Sequence, residues 1–209
     1  MPNLDVLFSS CKLNGLSLAN RIVMAPMTRS RSPGGVPTAE VASYYRRRAE
    51  NGVGLIITEA AGIDRPAALN EPDMPRFHGE AALARWKNVV DEVHGAGGRI
   101  VPQLVHVGHK LSNLIPFWKP SAPYESPSGI SVVGERISQP MSDADVAHAI
   151  DAFARAASDA ERLKRLQCPT CRNAEGAGTV ACRARRSGRG RFPSLAAKIL
   201  AAGLPRDRW

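Results

Sequence analysis

Two groups of residues in this chain have the spacing of metal ligands. His106 and His109 are separated by two residues, and so are Cys168 and Cys171, with Cys182 further along the chain. Zinc sites in proteins need three or four nitrogen, sulfur or carboxylate ligands. No acidic residue lies close to the histidines in sequence, and the segment with the cysteines has no histidine to complete a site. The spacing alone therefore does not predict a metal centre at either place.

The positive charge of the chain is concentrated at one end. The formal net charge is +9, which at first favours a nucleic-acid partner. Residues 1–163 carry 17 Lys and Arg against 17 Asp and Glu, whereas residues 164–209 carry 11 against 2. The first segment is electrically balanced, so the overall charge says nothing about what it binds. We do not expect nucleic acid to be its partner.

Short patterns within residues 1–163 predict β-structure. Asn14-Gly15 lies between two leucines and predicts a hairpin over residues 11–18, because this dipeptide tolerates the positive φ angles of a tight turn. Apolar runs that are typical of buried parallel strands lie at residues 22–25, 53–58 and 100–105. Pro102 does not fit the interior of the third of these strands, since proline has no N–H for the strand ladder.

Apolar residues recur at helical spacing in three further segments. The first helix is predicted from the N-cap Thr38 to about Gly52, the second surrounds Trp86, and the third runs from the N-cap Ser142 to about Leu163. The expected buried faces are Val41, Tyr45 and Ala49, then Leu83, Trp86, Val90 and Val93, and finally Val146, Ile150, Phe153 and Ala157.

The order of these elements predicts the fold class. A hairpin is followed by strand, helix, strand, helix, strand, a long loop rich in Pro, Ser and Gly over residues 108–141, and a last helix. Such alternation predicts an α/β fold with a parallel sheet or a β/α barrel. A complete eight-unit barrel needs about 250 residues. We therefore expect residues 1–163 to form the first three βα units of a TIM-type (β/α)8 barrel, preceded by the hairpin.

Several sequence motifs, in order, resemble those of the Old Yellow Enzyme family of FMN-dependent oxidoreductases. The resemblance covers residues 4–163. The motifs are Asn20–Thr28, Tyr44–Ala49, Gly52–Ala60, Pro75–His78, Trp86-Lys87 and Gln103–Gly108.

The resemblance implies a cofactor and a set of residues that hold it. Members of this family carry FMN at the mouth of the barrel, where NAD(P)H reduces it and it passes hydride to an activated alkene or a similar small electrophile. By resemblance, Pro26, Met27 and Thr28 lie against the flavin, Ala60 lies beside it, and Gln103 bonds its pyrimidine ring. The chemistry agrees, because barrel active sites form at the C-terminal ends of strands and a side-chain amide both donates and accepts hydrogen bonds.

The resemblance does not reach the residues that act on the substrate. In the family, a histidine pair and a proton-donating tyrosine belong to the fourth βα unit, and the last two units hold the FMN phosphate. The strand that should carry the histidine pair has no match after Leu163. His106 and His109 are therefore not that pair, and no catalytic residue is assigned.

Residues 164–209 differ in composition from the rest. They contain three of the four cysteines and many Arg and Gly residues, and only residues 195–204 have the pattern of a short helix. Two interpretations stay open. The segment is either an out-of-frame or misassembled product of a high-GC gene, or a real basic appendage. A real appendage would either bind phosphates nonspecifically or form a solvated, disordered end. The arginines that such an appendage would use are Arg183, Arg185, Arg186, Arg189 and Arg191.

The sequence thus predicts an FMN-dependent oxidoreductase with a small-molecule substrate, in truncated form. A basic-tailed nucleic-acid or partner-binding module and a non-functional gene remnant are the alternatives. No apolar run reaches the roughly 18 residues of a membrane span. The N-terminus lacks the basic and apolar regions of a secretory signal, so we expect a cytoplasmic protein with reduced cysteines. The oligomeric state is not predicted.

Overall fold

The computed structural model describes residues 4–13, 15–108, 118, 120–131 and 134–165, and every structural statement below concerns these residues. Outside them lie His109, Cys168 and Cys171, the five arginines between residues 183 and 191, and the predicted short helix 195–204. The predicted division of the chain at residue 163 stays a prediction, because residues 166–209 lie outside the described ranges. Among the described helices, none is both long and apolar enough to cross a membrane.

A short helix and a hairpin precede the sheet. The helix is α1 (Asp5–Phe8), and the hairpin pairs β1 (Cys11–Leu13) with β2 (Leu16–Leu18) in antiparallel register, so the hairpin prediction is confirmed. Gly15 in the turn has φ +84°, a backbone conformation that favours glycine.

Three parallel strands, each followed by a helix, form the rest of the fold. In chain order they are β3 (Val23–Met24), α2 (Ala39–Glu50), β4 (Leu55–Gly62), α3 (Glu80–Gly95), β5 (Ile100–Val105) and α4 (Asp143–Arg165), with a 3₁₀ turn at Pro33–Gly35 before α2. The sheet order is β3-β4-β5. The predicted α/β fold with parallel strands is confirmed, and the described part of the sheet does not close into a barrel.

The central strand β4 is longer than the sequence predicts. It extends to Gly62 rather than ending at Thr58, because Ala60, Ala61 and Gly62 continue the pairing with β5. The apolar pattern is broken at Glu59, a charged residue that the structure nevertheless buries completely. The charged residue inside the strand is the reason that the apolar pattern does not predict the second half of β4.

Pro102 lies opposite a β-bulge. Ile57 pairs with Val101 and Ala60 with Gln103, so two residues of β4 face the single residue Pro102 of β5. Proline is tolerated at such irregularities because the regular ladder is already interrupted there. The N–H of Gln103 donates instead to Thr58 Oγ1 at 3.1 Å.

The helices pack on the sheet through one face each. Val41, Tyr45 and Ala49 of α2 are buried as predicted. On α3, Trp86 and Val93 are buried as predicted, but Val89 takes the buried position expected of Val90. The N-cap of α4 is confirmed, because Ser142 Oγ accepts the N–H of Asp145 at 3.2 Å.

The predicted buried face of α4 was partly wrong. Ile150 is 58% exposed, and the buried residues are Ala152, Ala156 and Leu163. Two of these three buried residues are alanines, whereas the prediction placed larger residues on the buried face. Small side chains allow a helix to pack close to the core. Phe153 is partly buried beside them, as expected.

Candidate functional site

The C-terminal ends of the three parallel strands lie along one edge of the sheet. The five residues predicted to hold a cofactor lie near these ends, and we call them the strand-end residues: Pro26, Met27 and Thr28, which follow β3, and Ala60 and Gln103, which lie two residues before the ends of β4 and β5. Ala60 and Gln103 are register partners on β4 and β5, so their side chains are neighbours. Met27 is 53% exposed, Thr28 and Gln103 are also exposed, and Pro26 and Ala60 are half-buried.

An ion pair joins the loop after β3 to Glu59 in the middle of β4. Glu59 Oε2 accepts the backbone N–H of Arg29 at 3.0 Å, and the Arg29 guanidinium forms an ion pair with Glu59 Oε1. Arg29 directly follows Thr28, and Glu59 directly precedes Ala60. The structure therefore brings Thr28, Ala60 and Gln103 to the same part of the sheet edge.

Two tyrosines of α2 complete this buried group. The Arg29 guanidinium carbon lies 3.8 Å from the Tyr44 ring centroid, and that of Arg48 lies 3.5 Å from it. The Tyr45 hydroxyl accepts the N–H of Glu59 at 2.8 Å. Burial raises the pKa of Tyr45 to about 12, so this phenol stays neutral at physiological pH. We assign it a structural role rather than one in proton transfer.

A second polar cluster lies just beyond the ends of β4 and β5. Glu125 Oε2 accepts hydrogen bonds from Arg65 Nε at 3.0 Å and from His106 Nε2 at 2.8 Å. His106 Nδ1 accepts the N–H of Gly108 at 3.1 Å, which places the proton of the neutral imidazole on Nε2. These contacts hold the loop around Glu125 on the strand ends.

Glu125 is the acidic partner that the sequence did not predict for His106. No acidic partner for His106 was found because Glu125 is 19 residues away in sequence. The pairing needed the long loop to fold back, which local spacing does not reveal. Within the described ranges, no group of three or more His, Cys, Asp or Glu side chains could hold a metal ion.

Stability should depend on pH through Glu125. Burial alone raises the pKa of this carboxyl, but the hydrogen bonds from Arg65 and His106 and the charge of Arg65 outweigh burial and hold the pKa below its usual value. A lowered pKa in the folded state stabilises the fold above the ordinary glutamate pKa of about 4.3. That stabilisation is lost as the pH falls through the lowered pKa.

We therefore expect the difference in unfolding free energy between the parent chain and Glu125→Gln to shrink as the pH falls from 7 toward 3. Urea unfolding at a series of pH values measures it. Glu135→Gln, an exposed change in the same loop, is the control and should show no such trend. A difference that stays constant across this range would contradict the assignment.

A cavity of about 460 Å³ lies next to the loop after β3. It is lined by residues of that loop and of α2, together with Asp73, and it shares Arg29 with the buried ion pair but includes none of the strand-end residues. Arg31 and Arg47 face it together with Glu40 and Asp73, and the third arginine of the lining, Arg29, is paired with Glu59, so the cations are matched by carboxylates. This balance does not favour a ligand of either charge.

The strand-end residues have the properties that a flat heteroaromatic ring requires. Met27 offers exposed apolar surface, and Ala60 is small enough to let a ring approach the strand. Gln103 presents an exposed amide that both donates and accepts, and Thr28 presents an exposed hydroxyl. Polar groups at fixed points around an apolar surface are typical of cofactor sites.

Comparison with known proteins agrees with the resemblance found in the motifs. The model of the NADH:flavin oxidoreductase / NADH oxidase family matches residues 6–164. The chain is 34% identical over 154 residues to putative 12-oxophytodienoate reductase 6 of Oryza sativa subsp. japonica, covering 74% of this chain and 34% of that protein. It is 41% identical over 102 residues to 12-oxophytodienoate reductase 1 of the same plant, covering 49% of this chain and 26% of that protein.

Solved structures give the same result. Morphinone reductase superposes with a TM-score of 0.64 at 34% identity, covering 75% of this chain and 45% of that one. The Old Yellow Enzyme homologue from Zymomonas mobilis superposes with a TM-score of 0.60 at 32% identity, covering 76% and 46%. The chain therefore spans less than half the length of each of these relatives.

Proposed function

Because the chain belongs to the NADH:flavin oxidoreductase / NADH oxidase family, we propose that its strand-end residues hold FMN. The observation that carries the proposal is the convergence of Thr28, Ala60 and Gln103 through the Arg29–Glu59 ion pair and the β4–β5 register. We further propose that the three strand–helix units are the first three of an eight-unit barrel. The whole protein would then transfer hydride from NAD(P)H to a small electrophile.

Each strand-end residue has a distinct part in this proposal. The Gln103 amide would hydrogen-bond the pyrimidine edge of the flavin, where N–H and C=O groups alternate. The Thr28 hydroxyl would hydrogen-bond the ring system, and Pro26 and Met27 would cover its apolar part. Ala60 would leave room for the ring beside β4. When bound, FMN supplies the hydride-transfer chemistry, and the protein supplies its orientation and electrostatics.

The relatives suggest the class of electrophile. The names 12-oxophytodienoate reductase and morphinone reductase describe reductases of oxo compounds. We propose an alkene conjugated to a carbonyl as the substrate class for the whole protein. None of the described residues is assigned as the group that binds the carbonyl or donates the proton.

The alternative functions gain no support. A nucleic-acid or partner-binding module would depend on residues 164–209, and the structure describes only residues 164 and 165 of this segment. The family match ends at residue 164. No observation favours that module over the flavoprotein.

Titration of the 209-residue chain into FMN tests the proposal, with the quenching of flavin fluorescence as the signal. We expect saturable quenching by the parent chain. Gln103→Ala should weaken FMN binding by roughly tenfold, the equivalent of about 1.4 kcal/mol for lost hydrogen bonds.

Gln139→Ala is the matched control, because Gln139 is an exposed glutamine that lies in none of the strands and is not one of the strand-end residues. It should leave the dissociation constant unchanged. The absence of quenching by the parent chain would refute the proposed function, and equal affinities of the parent chain and Gln103→Ala would refute the role of Gln103.

A further inference from the structure

Glu59 is a completely buried carboxylate in the middle of an apolar strand. Burial of a charge is costly unless the charge is paired and hydrogen-bonded, and an apolar residue of similar size is often the more stabilising choice at such a place. The presence of a charged pair here therefore calls for a reason other than stability. The contacts of Glu59 supply one.

Both oxygens of the Glu59 carboxylate are bound to the same residue. Oε2 accepts the backbone N–H of Arg29 at 3.0 Å, and Oε1 pairs with the guanidinium of that arginine. One contact fixes the backbone of the loop, and the other fixes the side chain. The guanidinium is further held against the Tyr44 ring, 3.8 Å from its centroid. The loop after β3 is thus fixed in both position and orientation.

Thr58, which precedes Glu59 in the bulge, holds strand β5 on the other side. Thr58 Oγ1 accepts the N–H of Gln103 at 3.1 Å, and the N–H of Glu59 donates to the Tyr45 hydroxyl at 2.8 Å. Two consecutive residues of β4 therefore bind the segment that carries Thr28 on one side and the strand that carries Gln103 on the other. Ala60 follows them directly.

We propose that Glu59 and Arg29 are positioning residues for the FMN site. They fix the Met27-Thr28 segment relative to Ala60 and Gln103 without touching the flavin themselves. This inference rests on the proposed function, because the segment they fix is the one proposed to contact FMN.

Two variants and one control test the proposal in the full chain. Glu59→Gln keeps the shape and one acceptor but removes the charge. Arg29→Lys keeps the charge in the buried pair but loses the planar fork and its stacking on Tyr44. The control is Glu92→Gln, because Glu92 pairs with Arg46 in an exposed ion pair between α2 and α3.

The first readout needs no cofactor. Hydrogen exchange of residues 26–31 is measured without FMN, at a temperature where circular dichroism shows each variant folded. We expect the Arg29 amide of Glu59→Gln to exchange about tenfold faster or more, since its acceptor has lost its charge. The control should leave this exchange unchanged.

The second readout is FMN binding and the visible spectrum of the bound flavin. We expect both site variants to bind FMN about tenfold more weakly or worse, because small misplacements of a preorganised site have large effects. They should also shift the flavin absorption bands at saturation, which a uniform loss of stability would not do.

Each result decides between specific claims. Parent-like exchange, affinity and spectrum in both folded variants would overturn the positioning role. If Glu59→Gln does not stay folded, the affinity and spectrum of Arg29→Lys decide. If the parent chain binds no FMN, the proposed function is refuted. If the Arg29 amide of Glu59→Gln nevertheless exchanges faster than that of the parent chain, the ordering of the loop by Glu59 is still supported.

Discussion

Replacement of Trp86 by alanine should lower the free energy of unfolding by about 3–5 kcal/mol, the usual cost of truncating a large buried aromatic residue. Trp86 is 1% exposed on the inner face of α3. Its Nε1–H donates to the carbonyl of Arg76 at 2.9 Å, and its ring centroid lies 5.5 Å from that of Phe77. The substitution therefore removes packing on both sides and leaves a carbonyl without its donor.

Urea unfolding followed by circular dichroism measures this effect. Leu83→Ala on the same helix is the control, because Leu83 is only partly buried and should cost about 1 kcal/mol. Domains of this kind are stable by about 5–15 kcal/mol in total, so Trp86→Ala is expected to leave a marginal fold. Similar costs for the two variants would show that α3 does not pack as described.

Replacement of Glu59 by alanine should cost about 3 kcal/mol, since it leaves a buried cation without its partner. The Arg29 side chain is 18% exposed, so water relieves part of the cost, and its stacking on Tyr44 remains. The backbone N–H of Arg29 also loses its acceptor. We place the expected value at the lower end of the range for broken buried ion pairs for these reasons.

Glu92→Ala is the matched control for this prediction. Both partners of its pair with Arg46 are substantially exposed, and exposed pairs contribute about 1 kcal/mol or less. A second comparison uses Arg29→Ala together with Glu59→Ala, which leaves no unpaired charge and should be less destabilising than the sum of the single changes. Equal losses of unfolding free energy in Glu59→Ala and Glu92→Ala would mean that the Arg29–Glu59 pair is not buried.

The elements that follow simple local patterns were predicted well. The Asn-Gly turn places its hairpin at residues 11–18, and the apolar run at residues 100–105 matches β5. These signals depend on neighbours in sequence, so spacing alone reveals them. The end of β4 was missed because Glu59 interrupts the apolar run, and only the distant Arg29 makes its burial acceptable.

The candidate site was predicted less completely. The positions of Thr28, Ala60 and Gln103 came from the resemblance, and their isolated residue types indicate nothing special. The groups that hold them could not be predicted, because each contact joins segments far apart in sequence: Arg29 to Glu59 across 30 residues, and Thr58 to Gln103 across 45. The one available signal was a charged residue in the middle of an apolar strand.

The most direct test of the central claim is the hydrogen-exchange footprint of FMN on the full chain. Exchange is compared with and without saturating FMN, peptide by peptide. We predict that protection rises in three separate segments, residues 25–29, 58–62 and 103–106, which the strand ends bring together. Protection confined to residues 166–209 or to the first half of α2, or no protection at all, would contradict a flavin site at the strand ends.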